Sequence, residues 1–152
     1  MTPTGGVSQH NGDLMTPGDN WIGKVVSAIE KGPEWRSTAI FITYDDCGCF
    51  YDHVARPWPR LGVRLPFVIV SPYARAGFTD PSVGSIDSIL AYVEHTFGVA
   101  PLTRNDAHAY DFWKSFDYTQ APLPGVPMVR TIVQKAVREY AAAHPPNPND
   151  PT

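Results

Sequence analysis

Residues 39–46 read Ala39-Ile40-Phe41-Ile42-Thr43-Tyr44-Asp45-Asp46, an unbroken β-branched and aromatic run that stops on two carboxylates. Continuous apolarity over so short a run suits a strand covered on both faces, which predicts a central parallel strand over 39–44. A second run over 65–70 ends at Ser71-Pro72, and its Pro66 fits only a strand start or edge. Between the two lie about 20 residues with no helical period, a length that in compact domains marks a functional loop.

Outward from these strands the periodicity becomes helical. Residues 1–18 are polar and rich in Gly and Pro and read as loop. Asp19 or Asn20 then caps a helix with an apolar stripe of Trp21, Ile22, Val25, Ala28 and Ile29, stopped by Gly32-Pro33. Ile86, Ile89, Leu90, Val93 and Phe97 mark a second helix, with Ser85 as its cap and Gly98 as its stop. A third is predicted to open at Pro127, to show Val129, Ile132, Val133, Ala136, Val137 and Tyr140 on one face, and to end before Pro145. The tail, 145–152, reads as disordered. The order predicts an α/β fold, part of a layered sheet of mostly parallel strands with flanking helices, in one domain over residues 1–144.

The bulk properties narrow the function. A chain of 152 residues, 43% hydrophobic and 18% charged, suffices for one core. A formal charge of −3 argues against a nucleic-acid partner, which calls for a basic stripe. No run of apolar residues is long enough to span a membrane, and the first ten residues lack the basic start and apolar stretch of a signal peptide. Cys47 and Cys49, one residue apart, are read as turn and packing residues rather than a redox pair.

The chemistry concentrates at the end of the first strand. Asp45 and Asp46 repel each other unless a cation neutralises them, and two hard oxygen donors at a strand exit suit a divalent metal ion. The alternative reading has the same acids capping a turn. His53, in Tyr51-Asp52-His53, supplies a metal ligand or a proton donor near neutral pH, and Asp52 is a candidate to orient its ring. Glu94, His95, His108 and His144 read as surface residues.

The stretch TAIFITYDDCGCFYDHV, residues 38–54, resembles the bacterial phospholipase C and acid phosphatase type phosphoesterases of the alkaline phosphatase superfamily. Their signature is a strand, an Asp-Asp or Asp-Glu pair, a Gly-containing turn and Asp-His-Val. The resemblance continues through SQHNGDLMTPGDNWIGKVVSAIE, RLPFVIVSPYARAGF, SILAYVEHTFGV and the segment at 106–118, so that it covers roughly residues 8–120. It implies a metal-dependent hydrolase of phosphate esters or phospholipids, with Asp45 and Asp46 as metal ligands and His53 and His10 as active-site histidines. Arg64 and Ser71 also match but read as structural.

The resemblance has two departures. Ile86 stands where many members carry a histidine, so that either the site uses fewer ligands or Asp87 compensates. The chain also corresponds to the C-terminal half of an alkaline-phosphatase-like fold, so the Ser or Thr nucleophile is expected to lie in an N-terminal half. None of the nearest hydroxyls, Ser8, Thr43 and Ser71, is nominated for that role. The alternative function is a non-catalytic module that binds metal or phosphate. Strand edges left open by a missing half predict self-association.

Overall fold

A computed structural model describes the chain apart from residues 11, 48–50, 57, 58, 60 and 146–152. It is α/β and contains helix α1 (Met15–Glu30), strands β1 (Ile40–Thr43) and β2 (Phe67–Val70), and helices α2 (Asp87–Phe97) and α3 (Lys135–Ala143). The chain divides into two compact units: Met1–Trp35, Asp46–Tyr51 and Pro124–Thr152 form the first, Arg36–Asp45 and Asp52–Leu123 the second. The reading of 145–152 as a disordered tail falls almost wholly outside the described residues.

In the first unit α1 begins at Met15, not at the expected Asp19–Asn20 boundary. Pro17 falls within the first turn, where no intrahelical partner exists for its missing N–H, so it does not delay the helix. Asn20 is therefore free for another task. Its side-chain amide donates to the Thr131 carbonyl and accepts the Thr131 N–H, both at 2.8 Å. Ten residues on, Glu30 Oε1 accepts the Val126 N–H at 3.0 Å. The two anchors are separated by about 15 Å of helix and by about 16 Å of extended chain. Residues 126–131 thus lie along α1 as a strap running against the helix direction. Gly23, between the anchors, faces Met128: a methyl there would sit 3.4 Å from the Met128 Cβ, in ordinary van der Waals contact.

The strap corrects the third predicted helix. Residues 127–134 are not helical, and α3 spans only Lys135–Ala143. Asn20 takes both backbone hydrogen-bonding groups of Thr131, and the β-branched Val129, Thr131, Ile132 and Val133 gain little from helix formation.

In the second unit β1 pairs with β2 in antiparallel register, from Ile40 opposite Val70 to Thr43 opposite Phe67. The parallel arrangement expected of these two strands is not the one observed. A parallel return needs a crossover, usually helical, and the described part of residues 44–66 contains no helix. Pro66 sits just before β2, where it costs no ladder bond. Beyond β2 the chain stays bonded to the segment after the Trp113–Ser115 turn: Arg75 N–H donates to Ser115 O, Asp117 N–H to Tyr73 O, and Gln120 Nε2 to the Pro72 and Ala74 carbonyls.

An aromatic cluster fills the space over the strands. Phe41, in the middle of β1, lies 5.0 Å from Tyr92 and 5.8 Å from Phe112, centroid to centroid, while Phe67 stacks on Phe112 at 4.6 Å and Tyr92 on Phe116 at 5.0 Å. Phe112 occupies the left-handed region at φ 60° while buried. The stacking of its ring offsets a strain of roughly 1–3 kcal/mol. α2 ends as predicted on Gly98, which adopts φ 64° and donates its N–H to the Glu94 carbonyl.

Two buried carboxylates hold the loops after α2. Asp106, 2% exposed, accepts from Leu102 N–H, Thr103 N–H and the Thr103 hydroxyl. The Thr103 hydrogen bond is the largest of the influences that hold it below the usual carboxylate range. Glu94, 3% exposed, shares the same Leu102 N–H, and burial, reinforced by Asp106, pushes its carboxyl up. Asp80 gathers Tyr110 Oη at 2.6 Å, Ser82 N–H at 2.9 Å and Ser115 Oγ at 3.0 Å. Burial raises its carboxyl, but these donors outweigh it and bring it down to about 2.

A folded-state value below that of the free side chain means that the Asp80 network stabilises the chain at all pH above about 4. That contribution disappears as pH falls through about 2. Tyr110→Phe should raise the midpoint of the Asp80 carboxyl, followed by carbon NMR, and bring acid unfolding to higher pH; an unmoved midpoint would show that Tyr110 is not what holds it. In the first unit, Asn20→Ala should cost about 1–2 kcal/mol and release the Thr131 amide to exchange at least tenfold faster, with the Lys135–Ala143 amides as the internal reference.

Candidate active site

The antiparallel register brings the two ends of the long loop to one end of the sheet. Thr43 is paired with Phe67, so Tyr44-Asp45, which leaves β1, and Arg64-Leu65-Pro66, which lead into β2, emerge at the same end. Asp45 and Asp46 form an exposed bend immediately beyond β1, and Cys47 beside them is an exposed free thiol. Cys49, the other half of the Cys-Gly-Cys reading, lies outside the described residues.

Asp52 is what shapes the loop. Its Oδ2 accepts from Arg64 Nε at 2.8 Å and from the Arg64 N–H at 3.2 Å, while its Oδ1 accepts from Arg64 Nη2 at 3.0 Å and the Val54 N–H at 3.0 Å. The guanidinium thus grips the carboxylate with both prongs, the geometry in which Arg–carboxylate pairing is strongest. The Arg64 hydrogen bond is the main reason the Asp52 carboxyl lies well below its ordinary range, with the Val54 N–H next. This revises the role expected of Asp52: its recorded partners are Arg64 and Val54 rather than the His53 ring. His53 stands between those two anchored positions with its side chain exposed.

His10 is carried by a different local fold in the first unit. Gln9 adopts φ 62° and lies against the buried Gly18, where any side chain would overlap it. Gln9 Nε2 donates to the Met15 carbonyl at 2.9 Å, and Ser8 Oγ donates to Asp13 at 2.9 Å while accepting the His10 N–H. The segment folds back on the start of α1 and leaves His10 exposed. Asp46 belongs with His10 to the first unit, and Asp45 and His53 to the second.

Among the described residues no three His, Cys, Asp or Glu side chains gather into a metal-binding group. Asp45 and Asp46 carry the hard-oxygen donors that Mg²⁺ or Ca²⁺ prefers. The hydroxyls that sequence reasoning declined as nucleophiles are engaged locally: Ser71, buried, accepts the Tyr73 N–H, Thr43 Oγ1 donates to the Tyr44 carbonyl, and Ser8 holds Asp13. Asp87 opens α2 with Ser85 Oγ at 3.5 Å, and Ile86, in place of the family's histidine, is exposed.

The opposite end of the sheet carries an open cleft of about 370 Å³, lined by Ser37, Thr38, Ser71, Tyr73, Tyr92 and Tyr118 among others. The Tyr92 and Tyr118 hydroxyls lie 2.8 Å apart there, and burial, then Tyr92, pushes the Tyr118 phenol up, so it stays neutral. No carboxylate or imidazole lines this cleft. Ala39 on its wall is six residues from Asp45, roughly 20 Å of strand. Sequence reasoning missed both the cleft and the Asp52–Arg64 grip. Only the second had a local signal, an acid and an arginine flanking a long loop.

Residues 1–100 match the phosphoesterase family. The chain is similar to non-specific phospholipase C1 of Arabidopsis thaliana, 28% identical over 88% of this chain and 30% of that protein. It is also similar to non-specific phospholipase C6 of the same plant, 30% identical over 78% of this chain and 28% of that protein. Hemolytic phospholipase C of Pseudomonas aeruginosa is 27% identical over 54% of this chain and 15% of its own length. The chain therefore spans no more than 30% of these relatives.

Proposed function

This chain belongs to the phosphoesterase family, and on that premise we propose that it serves hydrolysis of phosphate esters, with phospholipids as the substrate class. The observation that carries the proposal is the antiparallel register, which brings Asp45 and the loop bearing Asp52, His53 and Arg64 to one end of the sheet. The three relatives, each a phospholipase C, support the choice of substrate. Acid phosphatase chemistry, on phosphomonoesters, is the nearest competitor within the same proposal.

In this reading Asp45 and Asp46 hold a divalent ion, which when bound neutralises charge on the phosphoryl group. Both acids are exposed at the strand exit. His53, on the same loop, gives a proton to the departing alkoxide or stands as a further ligand. His10, in the first unit, is a second active-site histidine by the resemblance alone. The larger fold would be a layered sheet of the alkaline phosphatase kind, of which β1 and β2 form one antiparallel part.

Calorimetric titration with Mg²⁺, Ca²⁺, Mn²⁺ and Zn²⁺ in turn should find one ion whose affinity drops at least tenfold in Asp46→Asn; equal affinity in the variant would remove the ligand assignment. Turnover of phosphatidylcholine or p-nitrophenyl phosphate by this chain with that ion should be negligible, since no nucleophile is assigned among its residues; hydrolysis that is lost in Asp45→Ala would show that the chain carries one.

A further inference from the structure

The Asp52–Arg64 grip is built on the residue immediately before His53. Asp52 and Val54 flank the histidine on either side. One carboxylate binds the Val54 N–H, the Arg64 N–H and both prongs of the Arg64 guanidinium. The backbone is thereby fixed immediately before and after His53 by a single group, while the imidazole stays exposed. Arg64 leads directly into β2, three residues before Phe67, which is paired with Thr43. The anchor is tied to the same sheet end from which Asp45 emerges.

The Arg64 side chain is 62% exposed and the Asp52 side chain 12%, so solvent screens the pair in part, although a two-pronged Arg–carboxylate geometry still contributes to stability. A grip centred on the residue next to the histidine, which also binds the amide just beyond it, serves orientation as well as support. We propose that Arg64 is a positioning residue, acting through Asp52 to hold His53 in the direction the site requires. This rests on the reading of His53 as an active-site histidine.

The test uses the full 152-residue chain, labelled for NMR, with Arg64→Ala and Arg64→Lys. Arg64→Ala should lower the melting temperature by a few degrees at most, leave the α2 amides unchanged, speed exchange at the Val54 amide at least tenfold, and raise the mobility of the His53 ring in carbon relaxation. Arg64→Lys, which keeps the charge but loses the two-pronged grip, should fall between. A His53 ring as ordered in Arg64→Ala as in the unaltered chain overturns the proposal. Added Mn²⁺ separates the proposal from its premise. Broadening of the His53 ring signals in the unaltered chain, diminished in Arg64→Ala, supports both. No broadening in the unaltered chain, together with a ring that is mobilised in Arg64→Ala, counts against the site reading and leaves the positioning role standing.

Discussion

Four residue pairs, Ile40 with Val70 through Thr43 with Phe67, set the geometry on which the second unit depends. Their antiparallel sense makes the loop between them a return instead of a crossover. Asp45, which follows one strand, and the arginine that introduces the other therefore emerge at a common end of the sheet. The aromatic cluster fixes that register from one side, because Phe41 and Phe67 both pack against Phe112 and a slip by one residue would turn them away from it.

The sequence was most legible where a local rule had no competitor. β1 lies within the run 39–44, α2 ends at Gly98 with the left-handed backbone a glycine stop implies, and the acidic pair is exposed at the strand exit. It was least legible where a distant partner overrode the local pattern. Residues 127–134 carry a helical stripe, yet the amide of Asn20, more than a hundred residues earlier, takes the backbone groups a helix would need. The start of α1 was misjudged because Pro17 reads as a breaker and works as a first-turn residue. The direction of β2 relative to β1 left no mark in either strand, since apolar continuity is the same for both senses.

Much of what holds the second unit together consists of carboxylates whose partners are remote in sequence. Asp80 meets Tyr110 and Ser115 across 30 and 35 residues, and no spacing rule foretells that. Asp52 is a nearer case: its partner was visible as a residue, but the role first suggested for it, orienting the imidazole next door, gave way to gripping Arg64. The two roles differ in consequence. An acid bonded to the ring would act on the basicity of His53, whereas one bonded to the flanking backbone acts on its direction.

Apart from Met128, whose side chain faces Gly23, the strap along α1 is held through its peptide groups. Asn20 and Glu30 bond to the backbone of Thr131 and Val126, and Val129 and Ile132 are exposed. Such a seat is nearly indifferent to the identity of the residues that occupy it. The composition of the segment can drift or be rewritten without disturbing where it lies, with one exception set by covalent structure: a proline at 126 or 131 brings no N–H to the seat.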